Sequence, residues 1–168
     1  RLAKLLAARA GNKVDYTKLS SVLGINRHKI KEYTTLFEYT YFIYLIKPFS
    51  KNIDHEISQQ PKLYFSDSGI LNELAGVQIS SGQVFEKAIA AQLKPLGKFN
   101  YYQRKTGQEI DFILDENTAI EVKETAIEQD LVVLIQRSES LKIKKRILIT
   151  RHLNKTAFRE MVWGGNIF

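Results

Sequence analysis

The chain has 168 residues, 44% of them hydrophobic and 26% charged, with no cysteine and a formal net charge of +7. This composition fits a soluble globular protein of one domain or two small ones, and it excludes disulfides and cysteine-ligated zinc. No apolar run approaches the roughly 20 residues of a membrane-spanning helix.

The longest apolar run, residues 39–46, is short and aromatic, as a buried strand would be. No signal peptide is visible, which with the missing cysteines fits a cytoplasmic location. The three histidines, His28, His55 and His152, stand far apart and form no metal-ligand spacing. The chain starts at Arg1 rather than Met, as a piece of a longer protein would. Its charge is uneven: residues 1–60 carry 10 Lys and Arg against 5 Asp and Glu, while the rest is nearly balanced at 15 against 13. A basic N-terminal third points to a polyanion; its plainer reading is a solvated basic surface.

Leu2, Leu5 and Leu6 predict a short amphipathic helix that stops at Gly11. Asp15 is placed to cap a second helix, 16–23, with Leu19, Val22 and Leu23 inward, and Gly24 stands just beyond it, where positive φ costs glycine little. Asn26 is placed to cap a third helix, 27–40, whose Ile30, Tyr33, Phe37 and Tyr41 keep the spacing of an inward stripe. The stretch "LSSVLGINRHKIKEYTTLFE" therefore resembles a helix-turn-helix, a unit that sets the start of its second helix in the DNA major groove. Arg27, His28, Lys29 and Lys31 lie there, within reach of phosphates or base edges. Such a cationic first turn opposes the helix dipole, a misfit that an anionic partner explains better than stability does. Two strands follow, in "YFIYLIKPF" and "PKLYFSD", and residues 50–61 between them form the expected wing. The same architecture also serves as a protein-interaction module. Ser66, Asp67 and Ser68 offer caps for a short helix, 69–74, and the aperiodic "AGVQISSGQ" marks the boundary between a winged-helix unit, 1–75, and a second unit, 76–168.

In the second unit, "VFEKAIAAQLKPL" predicts a helix with Phe85, Ile89 and Leu93 inward and Glu86 beside them. Strands follow in "NYYQRK", "EIDFILD" and "AIEVKE", then an apolar helix over 128–141 with Leu131, Leu134, Ile135 and Leu141 inward, then a strand in "KKRILITRH". Residues 155–168 are expected to form a helix and a tail. The order α-β-β-β-α-β predicts an α/β layer structure on a mixed sheet, its last strand reached by a helical crossover.

The hairpin "EIDFILDENTAIEVKE" carries the chemistry. Side chains alternate along a strand, so Ile110, Phe112, Leu114, Ile120 and Val122 are expected on a core face, with Glu109, Asp111, Ile113, Ala119, Glu121 and Lys123 on the other. A three-residue turn at 115–117 sets Asp111 opposite Glu121 and Glu109 opposite Lys123, at the roughly 5 Å of a cross-strand pair. Facing carboxylates repel, and oxygen ligands at this density suit Mg2+ or Mn2+. The plain alternative is a one-sided sheet with ordinary charges on its wet face.

The form Asp-x9-Glu-x-Lys, after a helix that carries a glutamate, resembles the PD-(D/E)xK nuclease superfamily. More narrowly, "LSSVLGINRHKIKEYTTLFEYTYFIYLIKPF", "PKLYFSDSGI", "GQVFEKAI", "YYQRKTGQEIDFIL" and "IEVKE" are similar to the C-terminal domain of unknown function that follows the ATPase in many archaeal and bacterial AAA+ ATPases. The resemblance covers most of residues 10–124. It implies a winged helix-turn-helix followed by a restriction-endonuclease-like α-β-β-β-α-β core. It also implies Glu86, Asp111, Glu121 and Lys123 as catalytic residues, with Asp111, Glu121 and the Val122 carbonyl as metal ligands. Arg104 and Glu109 match the family's arginine and the acid before its aspartate. No G-x-x-x-x-G-K-[ST] occurs and the chain holds no nucleotide site, so the family's ATPase part is expected either to lie outside these residues or to be lacking in this member. Two functions follow as expectations: a Mg2+- or Mn2+-dependent nuclease acting on DNA or RNA, with Arg27, His28, Lys29, Lys31 and Arg104 on the nucleic acid, or a non-catalytic DNA- or protein-binding module that targets or regulates an ATPase.

Overall fold

In the computed structural model, residues 1–50, 59–76, 80–104, 106–152 and 159–165 are described. The first six elements build one side of the molecule. Helix α1 (Leu2–Ala7) leads to α2 (Tyr16–Leu23), capped by Asp15, whose carboxylate accepts from the Thr17 and Lys18 N–H groups at 3.0 Å. Gly24 follows in the left-handed conformation with φ 66°, and Asn26 caps α3 (Arg27–Tyr39) by accepting from the His28 N–H at 2.7 Å. Strands β1 (Ile43–Ile46) and β2 (Lys62–Phe65) pair antiparallel. Helix α4 (Ser68–Ala75) is capped by Asp67. The expected wing, 50–61, falls largely on residues 51–58, outside the described residues, as does His55.

Three inward assignments are corrected. Val22 is exposed, because α2 turns Tyr16, Leu19 and Leu23 toward the core and Val22 away from it. On α3 the buried line runs Ile30, Thr34, Phe37, leaving Tyr33 on its open flank; the Thr34 hydroxyl donates back to the Ile30 carbonyl at 2.8 Å, which lets a polar residue be buried. Tyr41 is also exposed: it takes φ 56° just past the helix, and the chain reverses so that Phe42 enters the core instead. The Phe42 N–H donates to the Phe37 carbonyl at 2.9 Å and the two rings lie 5.2 Å apart, a Schellman ending with its hydrophobic contact.

The second side begins with α5 (Ser81–Leu93), closed at its start by a capping box between Ser80 and Gln83. Strands β3 (Phe99–Gln103), β4 (Glu109–Leu114) and β5 (Thr118–Thr125) run antiparallel; helix α6 (Glu128–Ser140) then crosses to β6 (Lys145–His152), which lies parallel to β5. A further strand, β7 (Met161–Trp163), extends the sheet beside β6, so the order is β3-β4-β5-β6-β7. The helix expected in 155–168 is thus corrected where residues are described: Val162 bonds alongside Ile149 as a strand. The described residues form a mixed α/β protein with two sheets.

Hairpin β1–β2 is a wall shared by two cores. Ile43, Leu63 and Phe65 face the cluster built with α1–α4, whereas Tyr44, Ile46 and Tyr64 face the cluster built with α5 and the large sheet. Beyond β1 the chain stays bonded to that sheet: the Tyr101 N–H donates to the Lys47 carbonyl at 3.2 Å and the Phe49 N–H to the Tyr101 carbonyl at 2.6 Å.

The central strands of the large sheet are covered on both faces. Phe112, Leu114, Ile120 and Val122 lie toward α5, while Ile110, Ile113, Ala119 and Leu134 form a cluster under α6. Ile110 is therefore on the opposite face from the one strict alternation gives. The cause is a shift in the β3–β4 ladder: Asn100 faces Ile113 but Tyr102 faces Ile110, so Asp111 and Phe112 together stand opposite Tyr101. One extra residue in β4 is a β-bulge, and it reverses the facing of everything before it. Among the described residues no helix is long and apolar enough to cross a membrane.

Candidate functional site

The β4–β5 register follows the three-residue turn, with Leu114 facing Thr118, Ile113 facing Ala119 and Phe112 facing Ile120. There the ladder stops. The expected facing of Asp111 with Glu121 and Glu109 with Lys123 does not form, because the bulge turns β4 away from β5 at that point. Asp111 fills the fork: its Oδ2 accepts the Val122 N–H at 2.9 Å. Lys123 instead donates to Oε1 of Glu121, two residues back on its own strand, at 2.9 Å.

Besides the hairpin itself, three elements deliver polar or charged groups to this fork. Glu86 comes from α5, and its Oε1 accepts the Tyr64 hydroxyl at 2.6 Å. Lys62 comes from β2; its ammonium bonds Glu109 and lies 4.0 Å from Glu86 Oε1. Arg137 comes from α6, 3.6 Å from Glu121 Oε1, and donates to the Glu109 carbonyl at 2.5 Å. Lys62, Tyr64 and Arg137 are site residues that the motif did not mark. The one signal for Lys62 was a lysine inside the apolar strand "KLYF", since lysine is rarely buried without a partner.

The electrostatics are those of acids crowded together out of water. Burial, then the charge of Asp111, raises the Glu86 carboxyl to about 7 despite Lys62 and Tyr64. Glu121 is raised to about 7 by the same two causes against Lys123 and Arg137. Burial also raises Asp111, opposed by Lys62 and the Val122 N–H. Burial pulls both lysines down, yet the surrounding carboxylates outweigh it and hold Lys62 and Lys123 above the ordinary lysine value.

The charge of Asp111 bears on both Glu86 and Glu121, but the three acids are each drawn to a different partner. Accordingly, among the described residues no three His, Cys, Asp or Glu side chains are gathered as a metal-binding group. The donor chemistry still fits a hard cation. All donors are oxygens, the acids repel, and Glu121 Oε2 is buried with no hydrogen-bond partner among the described residues. Val122 is held beside Asp111 through its N–H.

The residues expected on nucleic acid lie apart in two groups. Arg27, His28, Lys29 and Lys31 are all exposed on the first turns of α3, where Glu32 pairs with Lys29 at 2.7 Å and His28 at 3.4 Å. Arg104 is exposed at the end of β3, its Nε donating to the Tyr102 hydroxyl at 2.5 Å.

Residues 1–81 match the family model described as Domain of unknown function (DUF8612). Residues 81–166 match the one described as Domain of unknown function (DUF4143). No curated protein and no solved structure matches the chain.

Proposed function

The chain belongs to the DUF4143 family, a domain found in AAA-ATPase-associated proteins, and on that premise we propose that it is a nucleic-acid-associated module whose PD-(D/E)xK-like core binds a divalent cation and cleaves phosphodiesters. The observation that carries this reading is the fork itself: Asp111 is seated between the parting strands, with Glu121 beside it presenting a buried, unpartnered oxygen. Asp111, Glu121 and the Val122 carbonyl would hold Mg2+ or Mn2+, with Glu86 facing the same space. A bound divalent ion supplies charge neutralisation and Lewis-acid activation at a phosphodiester. Lys123, tethered to Glu121, is placed to orient a water and a phosphate oxygen, and its retained charge suits electrostatic stabilisation rather than proton abstraction. Arg104 adds a cation beside the same hairpin.

The N-terminal helices support a winged-helix reading, because α2, Gly24 and α3 present a basic, solvent-facing helix start next to a two-stranded sheet. DNA or RNA would lie along it, and an ATPase is the expected partner. Isothermal titration of Mn2+ into wild type and Asp111→Asn tests the site: saturable binding to wild type alone is expected, followed by metal-dependent cleavage that Lys123→Ala abolishes. Wild-type binding without cleavage of varied DNA and RNA would favour a second reading, a non-catalytic module. Lys62 favours that reading too, since an internal ammonium already balances Glu86 and Glu109.

A further inference from the structure

Lys62 belongs to the N-terminal sheet, yet its charge belongs to the carboxylate fork. Its side chain is 8% exposed, its ammonium bonds Glu109 and lies 4.0 Å from Glu86, and the Tyr101 ring lies 5.4 Å from it. The backbone that carries it is fixed on both edges. On one side Lys62 faces Ile46 of β1. On the other, residues 11–14 pair with residues 61–63: the Gly11 N–H donates to the Leu63 carbonyl at 2.7 Å, the Leu63 N–H to the Asn12 carbonyl at 3.1 Å, and the Val14 N–H to the Pro61 carbonyl at 2.8 Å. Lys13 approaches the same Tyr101 ring at 5.5 Å. The arm therefore points into the fork from a rigid strand, not from a wandering surface side chain.

We propose that Lys62 is a tethered cation that competes with a divalent cation for Glu86 and Asp111, so that the seating of the N-terminal sheet sets the affinity of the fork. This rests on the cation site proposed above. One ammonium and one divalent ion cannot both sit among these acids without repelling, and each neutralises the same carboxylates. Competition makes the effect reciprocal: whatever draws β2 away from the fork tightens cation binding, and cation binding loosens the hold on Lys62. A nucleic acid or protein engaging the N-terminal helices would then act on the fork through β2.

Magnesium titration followed by NMR at pH 8.5, above the value of about 7 to which Glu86 and Glu121 are raised, tests this with the Val122 amide as reporter, because that N–H is bonded to Asp111. Lys62→Met is expected to tighten Mg2+ binding about tenfold or more, within the usual range of site-to-site coupling. In the wild type, the Lys62 ammonium resonance is expected to shift in step with the Val122 amide. Equal or weaker affinity in Lys62→Met overturns the proposal, as does a Val122 shift with the Lys62 ammonium unmoved. The latter needs no variant, so it decides the matter even if Lys62→Met does not fold. A Val122 amide that responds in neither protein overturns the cation site itself and the competition with it, an outcome distinct from binding without competition.

Discussion

Replacing Glu121 by glutamine should stabilise the metal-free protein at pH 8 and leave it unchanged near pH 4.5. The carboxyl is raised from 4.5 to about 7 in the fold, and its side chain is only 7% exposed. At roughly 1.4 kcal/mol per tenfold change in proton affinity, that displacement corresponds to about 3 kcal/mol. Because Asp111 and Glu121 share the cost, about 1–3 kcal/mol is the expected gain. The sign follows from proton binding. Between about 4.5 and 7 the folded protein holds more protons on this group than the unfolded chain, so stability falls as pH rises, and the loss is complete above about 7. Glutamine never ionises, so it removes that loss while keeping the shape and one carbonyl oxygen for the Lys123 ammonium. Urea unfolding of wild type and Glu121→Gln at pH 4.5, 6 and 8 measures it. A difference that does not depend on pH, or a variant less stable at pH 8, would refute the reasoning. The same substitution should abolish Mn2+ binding, so that stability is gained where function is lost.

Tyr41→Gly should raise stability by about 1 kcal/mol in thermal or urea unfolding, because Tyr41 holds φ 56° at the helix end while its ring is largely exposed. A loss would show that its ring, 5.6 Å from the Lys94 ammonium, matters more than the backbone. Phe112→Ala should cost about 3–5 kcal/mol, since its ring is fully buried between those of Tyr64 and Phe99. Charge reversal of Arg27, Lys29 and Lys31 should weaken DNA binding and flatten its salt dependence, read by fluorescence anisotropy between low and physiological salt.

Much of the local structure was legible in the letters. Asp15, Gly24 and Asn26 announce the helix ends because capping is short-range chemistry, and the caps stand where that chemistry puts them. The turn at 115–117 sets the register because hairpin pairing propagates from the loop. What stayed hidden depends on distant chain. "EIDFILD" alternates like any strand, and no letter in it reveals the bulge, which exists only relative to β3. Lys62 and Tyr64 reach the fork from β2 and Arg137 from α6, and only tertiary packing brings them there. The inward place of Tyr33 failed for a related reason: helical spacing says which residues share a stripe, not which stripe a neighbour covers.

The shared wall has a consequence for how such a protein can be taken apart, in a tube or over evolutionary time. The two family models meet at residue 81, a tidy seam in sequence. A cut there would strand Tyr44, Ile46 and Tyr64 as an oily face on one fragment and Phe85, Ile89 and Phe112 as its orphaned mate on the other. Neither half could be swapped for an unrelated partner without leaving that face bare to solvent and prone to clump. Melting should accordingly show one cooperative step rather than two, and the halves should travel through descent as a pair.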